Sequence, residues 1–257
     1  MTSPTSPSER TPALYHAAGD RALRGADAAI AAGGGILAIW IVQIGASGAH
    51  VPVAAGMALA FAAAIAIVAW VSRRRGATLG IRRARPRYWL AAALIGLSSW
   101  YARLALVKWL EVEDDTEALD ALISHMNLWL ALGFVAILPA IAEELIFRGV
   151  IARALAPRSL AGAIVLSSLA FAAYHVLPIQ MIAVFPLGLM LALLALRAGS
   201  VAPAMLAHAL NNACVIAMTR PQLAGVAHAI DAHAGAALAV SSAGTLAGIA
   251  LAARAAA

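Results

Sequence analysis

Charge is what this 257-residue chain has least of: only 12% of its residues are Asp, Glu, Lys or Arg, against 63% that are hydrophobic. A soluble domain carries about 25% charged residues and about 45–50% apolar ones. Mean hydropathy is +0.87, and no soluble core of this size could hide so much apolar surface. That excludes a cytosolic enzyme and a disordered chain. Cysteine is nearly absent too: Cys214 stands alone inside an apolar run, so an internal disulfide scaffold is excluded. No apolar signal-peptide region opens the chain, which starts with Ser, Thr and Pro and closes its polar stretch around Arg21, Arg24 and Asp27. Residues 1–28 read as a polar cytoplasmic tail, disordered in part. Residues 29–257 read as a single transmembrane domain.

Apolar runs fall at roughly 29–47, 52–72, 88–107, 128–155, 161–177, 179–197, 200–218 and 235–255, each close to the about 20 residues that cross a bilayer as a helix. The expected fold is all-α: a polytopic membrane bundle of about eight helices. The net charge of +6 does not imply nucleic acid. Seven arginines (Arg73, Arg74, Arg75, Arg82, Arg83, Arg85, Arg87) crowd one loop without the interleaved aromatics that stack bases. They mark that loop as cytoplasmic. Counting spans from it puts both termini inside. The loop near 108–127, with Glu111, Glu113, Asp114, Asp115, Glu117 and Asp120, falls outside. Arg103 and Arg220 then sit near outer ends, where a long side chain can snorkel to the interface.

Of the twelve acidic residues, ten belong to tails or loops. Glu143 and Glu144 remain, adjacent in the middle of the fourth span. A charge at that depth costs at least about 2.5–3.5 kcal/mol. Arg148 shares a helix face with Glu144 at i, i+4, whereas Glu143 points about 100° away and has no partner in its own helix. A structural ion pair accounts for Glu144 and Arg148 and leaves Glu143 unexplained. Pro139, one turn earlier, removes a backbone hydrogen bond beside the pair.

The histidines sort the same way. His16, His50, His125, His228 and His233 fall in tails, loops or span ends and read as solvated. His175 and His208 lie within spans, and Asn212 shares a face with His208. At 1.5 Å per residue, Glu143 and His175 lie about 20 Å from the inner ends of their helices, Asn212 about 18 Å and His208 about 12 Å. Three helices therefore bring polar residues to overlapping depths, where they can line one cavity.

Glu143-Glu144-Leu145-Ile146-Phe147-Arg148 is an E-E-x-x-x-R motif, Phe171 to His175 an F-x-x-x-H motif and His208 to Asn212 an H-x-x-x-N motif. In this order they resemble the three signatures of the CAAX-protease and bacteriocin-processing (CPBP, or Abi) family of intramembrane proteases. The resemblance covers about 125–218 and leaves the other spans as generic membrane helices. It implies an intramembrane endopeptidase opening to the cytoplasmic side and cutting near the C-terminus of a membrane-associated peptide or protein. In that reading Glu143 activates water as general base and His175 helps hold the water. His208 and Asn212 stabilise the oxyanion, Glu144 and Arg148 support them, and Phe171 packs. The resemblance leaves metal open: Glu143, His175 and His208 form a common zinc ligand set, but no H-E-x-x-H is present, and the balance leans against a zinc requirement. The partners expected are a peptide or protein substrate and the lipid bilayer. An Ala- and Arg-rich composition points to a GC-rich bacterial genome and hence a bacterial inner membrane. Two other classes are compatible with midplane Glu and His. A proton-coupled transporter is disfavoured by the lack of paired broken helices. A non-catalytic membrane scaffold or immunity protein is disfavoured by the intact motifs.

Overall fold

A computed structural model describes residues 21–110, 121 and 123–254. Helices form from the apolar runs: α1 (Gly25–Gly48), α2 (Val53–Arg74), α3 (Pro86–Trp109), α4 (Leu128–Leu155), α5 (Leu160–Tyr174), α6 (Pro178–Ala198), α7 (Ala202–Met218), α8 (Ala224–Ala232) and α9 (Ala234–Ala253). No strand occurs among the described residues. The eight expected spans correspond to all of these except α8. That short helix occupies a stretch read as loop, and its Asp231 meets Lys108 of α3 at 3.6 Å. The first helix starts at Gly25, inside the segment read as tail, and Leu23 before it is buried. The six acidic residues of the 111–120 loop and His16 lie outside the described residues.

Local sequence sets the helix ends. Pro86 and Pro178 open α3 and α6 at a position that has no hydrogen bond to lose. Asn127 caps α4 by accepting from Trp129 N at 3.0 Å, and Ser159 caps α5 by accepting from Gly162 N at 3.0 Å. Gly199 closes α6 at φ +62°, a conformation that favours glycine.

Among the described residues, six helices are long and apolar enough to span a membrane, and the chain is a multi-pass membrane protein. Trp89 and Trp109 on α3 are both exposed and, 20 residues apart in the sequence, stand about 30 Å apart along the helix, the thickness of the hydrocarbon layer. Trp70, near the end of α2, and Trp129, near the start of α4, are exposed as well, as in an aromatic belt. At the arginine-rich end, Arg153 Nη1 donates to Thr78 O at 2.6 Å, Val201 N to Gly80 O at 2.9 Å and Ser200 Oγ to Arg82 O at 2.8 Å. The 75–85 loop is thereby tied to the end of α4 and the start of α7.

Helix α4 runs between two apolar cores. One joins α1, α2 and α4 with Phe171 of α5; the other joins α3, α6, α7 and α9. Gly96 decides how α3 meets α7, because a Cβ there would lie 2.6 Å from the Ala207 carbonyl. Only a hydrogen fits, and the two backbones come into direct contact, as small residues allow inside membranes.

Candidate active site

Helix α4 is not regular. Wider π turns occupy Leu132–Ile137 and Leu145–Ala152, with ordinary α-helix from Leu138 to Glu144 between them. Pro139 sits at that first junction and has no N–H to offer the Val135 carbonyl four residues back. The acidic pair closes the α segment at the second junction. π turns are frequent at functional sites, and here they bracket both glutamates.

The expected Glu144–Arg148 pair is present, with Arg148 Nη1 2.8 Å from Glu144 Oε1 and both side chains fully buried. Arg148 Nη2 donates to Gly188 O on α6 at 3.0 Å, and the guanidinium lies 4.4 Å over the centre of the Phe171 ring. His208 completes the cluster. Its Nδ1 lies 3.0 Å from Glu144 Oε1 and its Nε2 3.8 Å from Glu143 Oε2. A carboxylate paired with arginine only accepts, so Nδ1–H is the donor, and the ring is fixed with Nε2 turned toward Glu143. His208 thus reaches both glutamates, a link that residue spacing within α7 alone could not show. Glu143, 5% exposed where Glu144 is 0%, accepts no hydrogen bond from any described residue.

His175 arrives from α5. That helix has 15 residues and α7 has 17, about 22 Å and 26 Å long, so both are shorter than the hydrocarbon layer. Helix α5 stops at Tyr174, before the 177 read from hydropathy. Pro178 disfavours helix in the residue before it, and Leu177 N donates to His175 O at 2.6 Å around Val176 at φ +62°. This is a tight γ-turn with a β-branched residue at its strained centre. His175 Nδ1 meets Phe171 O at 2.9 Å, leaving Nε2 for other partners. Phe171, fully buried, stands edge-on to both His175 and His208, with ring centres 4.9 and 5.6 Å away. It packs, as expected, and holds the two imidazoles apart.

Asn212 is placed otherwise than as a plain partner of His208. Its Nδ2 donates to Val135 O at 3.3 Å, the carbonyl that Pro139 cannot serve, and its Oδ1 accepts from Asn211 Nδ2 at 3.3 Å. Asn211 in turn accepts from Arg103 Nη2, while Arg103 Nη1 donates to Ala183 O at 2.8 Å. Arg103 was expected to snorkel; it is 8% exposed and turned inward. The reason is that buried acceptors lie within its reach, whereas the interface is about 9 Å further along α3. Arg220 does not extend outward either: its Nη1 donates to the Ser124 and Met126 carbonyls at 3.2 and 2.6 Å. Sequence reasoning missed Arg103 and Asn211. The signal available was a cation six residues inside a span and a second asparagine beside the one in the motif. His50, His125, His228 and His233 are exposed, as expected.

Among the described residues, no three His, Cys, Asp or Glu side chains are grouped closely enough to share a metal ion. Glu143, His175 and His208 are thus not drawn together as a three-residue metal site in this arrangement, although each imidazole is engaged through Nδ1 and, among the described residues, keeps Nε2 free of a hydrogen bond.

Residues 125–214, about a third of the chain, match the family model described as type II CAAX prenyl endopeptidase Rce1-like. This stretch is similar to the CAAX-protease family. It runs from just before α4 into α7 and contains all three motifs. Four residues more were read as covered from the motifs alone. No curated protein and no solved structure matches the chain.

Proposed function

We propose that the chain is an intramembrane endopeptidase in which Glu143 activates water against the scissile carbonyl of a membrane-associated peptide. The observation that carries this is the division of labour between adjacent carboxylates. Glu144, fully buried, is ion-paired through Oε1 with Arg148 and His208 and keeps a buried Oε2 without a partner among the described residues, while Glu143 has no cation hydrogen-bonded to it there and retains slight exposure. A base must be able to take up a proton, and of the two only Glu143 is placed to do so.

Glu143 takes a proton from water as the water oxygen adds to the carbonyl carbon. Negative charge moves to the carbonyl oxygen, where the second Nδ2 hydrogen of Asn212 donates to it, joined by His208 Nε2 when that ring carries a proton on both nitrogens. Collapse of the intermediate breaks the C–N bond, and the proton held by Glu143 passes to the leaving amine. His175 Nε2 orients the water. Donors fixed before reaction in a water-poor site are worth more than the same groups in water. The CAAX-protease stretch supports a membrane-associated peptide substrate and a lipid environment; cleavage near the substrate C-terminus is part of the proposal.

The test is purified protein in liposomes with a C-terminal model peptide, wild type against Glu143→Gln, which keeps shape and removes the base. Cleavage by wild type, its loss in the variant and an unchanged melting temperature are expected. Near-wild-type turnover by Glu143→Gln would remove Glu143 as base. Proton-driven uptake without cleavage would turn the reading to a transporter.

A further inference from the structure

We infer that Arg103, outside the matched stretch, is a positioning residue that sets the orientation of Asn212. The inference rests on the reading of Asn212 as an oxyanion donor.

Arg103 is a buried cation in a membrane span, and among the described residues it pairs with no carboxylate. Its two hydrogen bonds go instead to neutral acceptors, Ala183 O on α6 and Asn211 Oδ1 on α7. Ser99 Oγ, one turn earlier on α3, donates to the same Oδ1 at 3.5 Å. A carboxamide can be turned over with little change in shape, exchanging its donor for its acceptor. Guanidinium removes that freedom, because it donates only. With Oδ1 of Asn211 held by Arg103, its Nδ2 must face Asn212. Asn212 then presents Oδ1 to Asn211, and its own Nδ2 points toward α4, where one hydrogen meets Val135 O. The other hydrogen of that NH₂ remains for the reacting centre.

The chain of bonds thus runs from the turn before Pro186 on α6, through α3 and α7, to the turn before Pro139 on α4. One donor-only group fixes the direction of every link. Without it both amides can reverse, and the site would be offered an oxygen where it needs a donor.

The experiment measures kcat and KM in liposomes for Arg103→Leu and Arg103→Lys, each alone and combined with Asn212→Ala. Arg103→Leu is expected to lower kcat about ten- to hundredfold, the scale of a misplaced catalytic group, with KM unchanged. Lysine, a donor without an acceptor, should regain part of the loss. In the Asn212→Ala background Arg103→Leu should cost less than about twofold, since the group it positions is gone. An equal loss in both backgrounds, or a raised KM with unchanged kcat, overturns the inference. A second measurement needs no substrate: the side-chain amide ¹H–¹⁵N signals of Asn212, identified by their absence in Asn212→Ala. They should shift in the Arg103 variants, and unmoved signals overturn the inference. Failure of wild type to cleave would defeat the protease reading while this second arm still decides on Arg103. If the leucine variant does not fold, the lysine variant carries both measurements.

Discussion

Replacing Arg148 by Met tests whether the ion pair under the site is structural support. The substitution removes a 2.8 Å bond to Glu144, a 3.0 Å bond to the Gly188 carbonyl and the stacking on Phe171. Methionine keeps most of the apolar stem, so the cavity term is small. Breaking a buried pair from one side costs about 3–5 kcal/mol, because the remaining charge is stranded. Glu144 is not stranded completely. His208 Nδ1 still donates to it, and a hydrogen bond to a charged group is worth about 1.5–3 kcal/mol. The cost should therefore fall at the low end, about 3 kcal/mol, which at about 2–4 °C per kcal/mol lowers Tm by about 6–12 °C. Cys214, the single thiol and half-buried on α7, lets a thiol-reactive dye report unfolding in detergent. The control is Glu144→Leu combined with Arg148→Met. Exchanging both members of a buried pair for apolar groups is neutral or stabilising by about 1–4 kcal/mol, so the double variant should recover most of the lost stability. It should still be inactive, because nothing holds the His208 ring. Arg148→Met melting like wild type, or a double variant less stable than Arg148→Met, would refute the reasoning.

Asn212→Ala should lower kcat about a hundredfold to a thousandfold, the usual effect of one lost oxyanion donor; a loss under tenfold in single-turnover kinetics would take Asn212 out of that role. Prolonged chelation should leave turnover intact, and activity lost on metal removal and restored by zinc would mean that His175 and His208 rearrange into ligands. Val176→Gly should raise Tm by about 2–4 °C, because it relieves a γ-turn centre costing about 1–3 kcal/mol, offset by about 1 kcal/mol of glycine entropy. Val176 is 59% exposed, so little packing is lost, and a lowered Tm would show that the valine is not strained.

How far the sequence could be read followed from which costs it exposes. Carboxylates in a span are expensive wherever they point, so accounting for twelve acidic residues isolated Glu143 and Glu144 without any contact information. Spans were visible for the same reason, as hydropathy needs no partner. Arginine escaped this accounting. A stem long enough to reach an interface is also long enough to turn inward, so position along α3 left Arg103 undecided until α7 was in place. The two adjacent asparagines posed a similar difficulty. Both lie on the face of α7 that carries His208, and their different partners, Arg103 for Asn211 and the Val135 carbonyl for Asn212, come from the packing of α3 and α4 against α7. Pro139 marked the right place for a backbone irregularity, but its form, a widened helix whose Val135 carbonyl takes a side-chain donor, came from packing.

A shared anchor connects the two arginines. Each uses one end of its guanidinium to fix a reacting group's neighbour, Glu144 for Arg148 and Asn211 for Arg103, and the other end to grip a carbonyl of α6. Those carbonyls, Ala183 and Gly188, flank Pro186, the proline inside α6. A proline there leaves the Ile182 carbonyl without its helical donor, and the Ala183 carbonyl beside it accepts from Arg103. Gly188 in turn admits close contact with α5, its missing Cβ lying 3.1 Å from Ser168 Cβ, and so brings its carbonyl under Arg148. Helix α6 supplies none of the three motifs, yet the Glu144 side of the cluster and the Asn211–Asn212 side are both anchored to it. On the proposed reading the motif residues carry the chemistry, and helix α6 and Arg103, both outside the motifs, tie its two halves to one support.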